Sequence, residues 1–81
     1  MYLHICKNII IRSEDIIGIF DIETMKNTEE YKKIYAKLEE EKVIIDISEG
    51  VQKTLILIKK DKKNKAYISN ISVATLEKRA N

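Results

Sequence analysis

Four stretches of this sequence carry aliphatic side chains at consecutive positions: Ile9-Ile10-Ile11, Ile16-Ile17, Val43-Ile44-Ile45 and Leu55-Ile56-Leu57-Ile58. β-Branched residues favour strands, and a strand sends successive side chains to opposite faces. An antiparallel sheet that is wet on one side alternates apolar with polar residues, and these segments do not. They read as strands that need cover on both faces. Only 81 residues are available to supply it, and a domain that short buries only about 60% of the surface its unfolded chain exposes. Two short helices cover one face of a four- or five-stranded sheet. The second face is therefore expected to be covered by a neighbouring subunit, since it would otherwise remain a large exposed apolar patch.

The rest of the pattern gives the order of elements. Tyr2 to Cys6 and Ile9 to Arg12 read as two short strands with a break at Lys7-Asn8, and Ile16 to Ile22 as a third. Asn27 with Glu30 has the spacing of a capping box. Tyr31, Ile34, Tyr35 and Leu38 follow as one apolar helical stripe. Glu29–Lys33 and Lys37–Glu41 are spaced to pair along its exposed side. Val43 to Ile47 reads as a strand, Ser48-Glu49-Gly50 as a turn, and Thr54 to Ile58 as a strand. Lys59 to Lys65 reads as a hairpin loop and Ala66 to Ile71 as the last strand. Ser72 caps a final helix on which Val73, Leu76 and Ala80 share a face. The expected fold class is α+β, a small, mainly antiparallel sheet with one central and one C-terminal helix, in a single domain over residues 1–81. There is no proline, and no stretch has the composition of a linker or a repeat.

Other means of stabilising so small a core are excluded or unsupported. The single cysteine, Cys6, has no partner for an internal disulfide, which fits a reducing cytosol. Cys6 and the single histidine, His4, cannot supply the usual zinc ligand set. No metal or other cofactor is expected. The apolar runs fall far short of the roughly 20 residues needed to span a bilayer. The N-terminus lacks the basic stretch and cleavage site of a signal peptide. A soluble cytoplasmic protein with no membrane partner is the expectation, and oligomerisation is the favoured stabilising device.

Catalysis finds little support. His4 and Cys6 fall on one strand face, but nothing beside them in the sequence offers an oxyanion hole or an orienting third group. Gly18 sits inside an apolar strand and Gly50 in a turn, so there is no glycine-rich phosphate loop. Asp21 and Glu23 at strand spacing are more simply a solvated edge or one side of a salt bridge between subunits. The chain is read as a non-enzyme.

A net charge of +2 is small, so the distribution of charge matters more than its sum. The run Lys59-Lys60-Asp61-Lys62-Lys63-Asn64-Lys65 puts five lysines into seven residues. Such a tip can neutralise phosphates and release their counterions; it can equally be a solvated turn. Repeated around a symmetric oligomer it would follow a backbone that one copy could not hold. Lys78 and Arg79 on the last helix extend the patch. No helix reads as a base-reading recognition helix.

Met1-Tyr2 with His4, then Asp15-Ile16-Ile17-Gly18-Ile19-Phe20-Asp21, then Thr75-Leu76 with Lys78-Arg79-Ala80 occur in an order that resembles the bacterial RemA/RemB extracellular matrix regulatory proteins, more closely RemB. The resemblance covers nearly the whole chain. It implies a small cytosolic regulator related to activators of biofilm-matrix transcription, assembling into a ring and contacting DNA through arginines repeated around it. The sequence departs from that pattern at the arginine positions. One falls near the acidic Glu14 and Asp15, and an arginine pair falls on Val51 and Gln52. Arg12 and Lys53 lie close enough in the sequence to substitute in part. The expected DNA-binding set is therefore Arg12, Lys53, Lys59, Lys60, Lys62, Lys63, Lys65 and Arg79. The alternative is an oligomeric module that binds a protein partner, such as a related regulator, without touching DNA.

Overall fold

The computed structural model of the chain describes residues 1–6 and 8–80, with the side chain of Ala80 left aside. Lys7, expected in the break between the first two strands, and the place of the Ala80 side chain on the last helix lie outside what is described. The chain opens with an antiparallel hairpin of β1 (Tyr2–Cys6) and β2 (Ile9–Arg12). A 3-10 turn over Ser13–Asp15 leads into β3 (Ile16–Asp21). A single helical turn, α1 (Ile22–Met25), and the longer α2 (Glu29–Glu40) follow. After them come β4 (Ile44–Asp46), β5 (Thr54–Lys60), β6 (Lys63–Ser69) and α3 (Val73–Ala80).

The expected strands form with shifted ends: β4 is shorter than Val43 to Ile47 at both ends, and β6 stops at Ser69 instead of Ile71, where the Ser69 hydroxyl accepts from the Ile71 amide at 3.0 Å. β3 stops at Asp21 because the Asp21 carboxylate caps α1, accepting from the Glu23 amide at 3.1 Å and the Thr24 hydroxyl at 3.2 Å. The cap of α2 is Thr28, not Asn27: its hydroxyl accepts from the Tyr31 amide at 3.2 Å. Neither Glu29–Lys33 nor Lys37–Glu41 closes to an ion pair among the described residues, as suits long exposed side chains that stay hydrated. The Ser72 cap forms as expected, its hydroxyl accepting from the Thr75 amide at 3.2 Å.

β3, β5, β6 and β4 lie side by side in that order. β3 and β6 are each antiparallel to β5, whereas β4 runs parallel to β6. β3 and β4 thus point the same way at opposite edges, and the connection between them crosses a whole face of the sheet. The expectation of a mainly antiparallel sheet holds, with β4–β6 as the parallel exception. A parallel return requires a crossover segment, and α2 provides it.

That crossover covers one face of the sheet. Tyr31 and Leu38 of α2 and Ile22 of α1 pack with Leu55, Ala66 and Ile68. Ile34 and Tyr35, the other half of the expected stripe, are half-buried against them. The opposite face is covered by the hairpin and α3: Leu3, Ile5, Ile11 and Leu76 pack with Ile56, Ile58 and Tyr67. Adjacent β5 residues belong to opposite clusters, and this is why Leu55 to Ile58 shows no polar alternation. The expectation that the second face needs a neighbouring subunit is corrected here. The first two strands fold away from the main sheet as a separate layer and close the core within one chain.

Gly18 has a packing role inside β3. A β-carbon built there would stand 3.0 Å from both Cε2 and Cζ of Phe20. The Phe20 ring lies over the glycine and meets Tyr31 edge-on, with centroids 6.5 Å apart. Because Tyr31 is itself buried, the ring has little room to yield. Gly18→Ala is expected to destabilise the fold by roughly 1–3 kcal/mol through overpacking. A denaturant melt checks this, and an unchanged or raised midpoint contradicts it.

Candidate nucleic-acid interface

The lysine-rich segment is not an extended loop. β5 continues through Lys59 and Lys60, and β6 begins at Lys63, with the register Ile58↔Lys65, Lys59↔Asn64 and Lys60↔Lys63. Only Asp61 and Lys62 form the connection, and both have positive φ, 51° and 66°. Two such residues make the kind of hairpin turn whose twist matches the flanking strands. Aspartate tolerates this conformation better than lysine does. The hairpin-loop reading of Lys59 to Lys65 is thus corrected: lysine is a weak strand former, but the register continues from a buried strand pair.

Because the tip is β-structure, its lysines divide between two directions. Lys60, Lys63 and Lys65 continue the face of Ile56, Ile58 and Tyr67, the side covered by the β1–β2 hairpin. Lys59 and Asn64 continue the α2 side. Ile58, Lys60, Asp61, Lys63, Asn64 and Lys65 line an open cleft of 260 Å³. Among the described residues none of the five lysines has an ion-pair partner.

The other expected DNA contacts lie elsewhere. Lys53 precedes β5, at the far end from the tip, and its amide donates to the Ser69 carbonyl at 2.9 Å. It shares an open cleft with Asp21, Glu23 and Gln52, so its surroundings are partly acidic. Seven residues of β5 separate the two ends, about 20 Å at the usual rise of a strand. Arg79 of α3 donates from Nη1 to the His4 carbonyl at 3.2 Å and lines a cleft with Tyr2, His4, Cys6 and Ile71. Arg12 ends β2, and its Nη2 lies 2.8 Å from Oε2 of Glu14. The Glu14 carboxylate also receives the N-terminal ammonium at 3.4 Å. These cations hold Glu14 well down from the usual carboxylate range, to about 2, with the Arg12 hydrogen bond as the main cause. The same bond raises the Arg12 pKa.

The whole of this fold falls within one family description. A family model described as RemA-like, extracellular matrix regulatory protein A-like, matches residues 2–80. The chain belongs to the RemA-like family. A comparison with curated proteins gives no match. The family description is that of a regulatory protein, not a catalytic one.

In this RemA-like chain the segment holding Val51 and Gln52 is fixed from within. The Asp46 carboxylate accepts from the Ser48 amide and hydroxyl, and its other oxygen accepts from Nε2 of Gln52 at 3.0 Å. These bonds lower the Asp46 pKa, that of Ser48 Oγ most. Glu49 and Gly50 turn the chain at φ of 55° and 90°. Gln52 thus braces its own loop. The sequence signal for this brace was Asp46 two residues before Ser48, the spacing of an Asx turn. Among the described residues no group of His, Cys, Asp or Glu is placed to hold a metal ion, and no helix is long and apolar enough to cross a membrane.

A pH dependence follows from Glu14. Its folded pKa lies below its ordinary value, so its contribution to stability is fully present above about pH 4.5 and is lost as pH falls toward 2. Glu14→Gln is expected to flatten the fall in melting temperature across that window. Melts of both proteins at several acidic pH values test this, and parallel curves contradict it.

Proposed function

We propose that this RemA-like chain is a cytoplasmic, DNA-binding transcriptional regulator that acts as a homo-oligomer and holds the DNA backbone through repeated basic residues. The observation that carries the reading is the β5–β6 tip, with five lysines in seven residues and, among the described residues, no ion pair to any of them. Unpaired ammoniums on a rigid hairpin keep their charge available for phosphate, and each phosphate neutralised releases counterions. Family membership supports the regulatory role. Exposed apolar side chains support association. Tyr2 and Ile10 stand on the outer side of the hairpin, 67% and 53% exposed, and Ile17 at the β3 bulge is 55% exposed.

One observation favours a second reading. Arg12 is already bound to Glu14, and Gln52 is turned to Asp46, so the positions closest to the expected arginine contacts are engaged within the chain. On that reading the oligomer binds a protein partner, such as a related regulator, and leaves DNA to it.

Salt separates the two. On the first reading, affinity for duplex DNA falls steeply between 50 and 200 mM salt, by about 10³-fold or more if several phosphates are held. Gel-shift titrations at the two concentrations measure it. A shift that is absent, or indifferent to salt, at micromolar protein favours the second reading.

A further inference from the structure

Resting on the DNA-binding reading, we infer that the phosphate contacts of the tip are made by one side of it, Lys60, Lys63 and Lys65, and that Lys59 and Lys62 are outside the contact.

The register decides the grouping. Lys60 and Lys63 flank the two-residue turn and stand directly opposite each other. Lys65 follows Lys63 two residues along β6, about 7 Å away and on the same face. Ile58, opposite Lys65, is buried and forms the floor of the cleft the three lysines share. Lys59, by contrast, is paired with the neutral Asn64 on the other face, and Lys62 sits in the turn itself at φ 66°.

The three-lysine side opposes the fold's own stability. Like charges directly opposite across two strands repel, and no described acidic side chain forms an ion pair with either lysine. Asp61 also lines the cleft and offsets one of its three positive charges, but among the described residues its carboxylate forms no ion pair with a lysine, so the cleft keeps a net positive charge. An arrangement that repels in the free protein is relieved when an anion enters between the two ammoniums. Adjacent phosphates of a nucleic-acid backbone supply such anions in a row, matching a pair plus a third lysine along one strand. The site reads no base; it is a backbone clamp.

Charge-matched substitutions on the two sides provide the test. Lys63→Glu turns the repulsive cross-strand pair into an attractive one, so its melting temperature without ligand is expected to rise, while its affinity for a short DNA duplex falls about tenfold and the slope of log K against log salt drops by about 1. Lys59→Glu carries the same change in net charge and is expected to move affinity less than about threefold. Lys62→Gly, which suits the turn, is expected to leave binding intact. Pyrophosphate gives a probe independent of DNA: it is expected to raise the melting temperature of the unaltered chain at low salt and to lose that effect in Lys63→Glu but not in Lys59→Glu. Equal losses in Lys63→Glu and Lys59→Glu overturn the one-sided clamp even if DNA is bound. If the unaltered chain binds no duplex, the DNA reading fails; the clamp then stands or falls on the pyrophosphate result. A pyrophosphate effect absent from the unaltered chain, or retained by Lys63→Glu, overturns it.

Discussion

The fold depends on the packing of the β1–β2 hairpin against the main sheet. β5 places Leu55 on one face and Ile56 and Ile58 on the other, so the sheet has no side that tolerates water. The α2 crossover hides the first face, a consequence of β3 and β4 being parallel strands at opposite edges. The second face has only α3, eight residues long, and the hairpin. Leu3, Ile5 and Ile11 bring the latter down onto Ile56, Ile58 and Tyr67. Remove that layer and the apolar patch expected from the sequence would be exposed. With it in place the core is complete within one chain, and the proposed association between subunits would rest on side chains of the outer surface.

The same alternation that buries the core also sorts the lysines. A strand carries its two-sidedness past the point where it leaves the core, so the facing of Lys60, Lys63 and Lys65 is inherited from Ile58 and Tyr67. The tip is therefore a patterned surface set by the register of the buried strands. Its rigidity comes from the central pairing of β5 with β6. Its charge is left open because, among the described residues, no acidic side chain forms an ion pair with a tip lysine, while Glu14 is bound to Arg12 and the N-terminus, Asp46 to Ser48 and Gln52, and Asp21 caps a helix.

Much of this was legible in the residues. The Tyr31–Leu38 stripe, the Ser72 cap, the runs of β-branched residues and the Ser48–Gly50 turn all act locally, and each formed near where its chemistry points. Three features were not. The hairpin's role as a cover depends on tertiary placement, and two strands of the same oily character as the rest carry no mark of the layer they will join. The parallel β4–β6 pair is set by the α2 crossover, which periodicity cannot reveal. The turn at Asp61-Lys62 lacks the glycine that usually announces a two-residue hairpin, and lysines on both sides disguise strand as loop. At the candidate site, the lysines were visible from composition, but their division between two faces needed the register. The pairing of Arg12 with Glu14 likewise needed the 3-10 turn that brings the two together.

Hydrogen exchange of the β5 and β6 backbone amides, followed by mass spectrometry or NMR across a dilution series while light scattering reports particle mass, tests the central claim most directly. If the hairpin completes the core within each chain, protection at Leu55 to Ile58 and Ala66 to Ile68 stays constant as the mass falls to that of one chain. Protection that disappears together with the assembly would show that a second subunit, and not the hairpin, is what keeps water from the sheet.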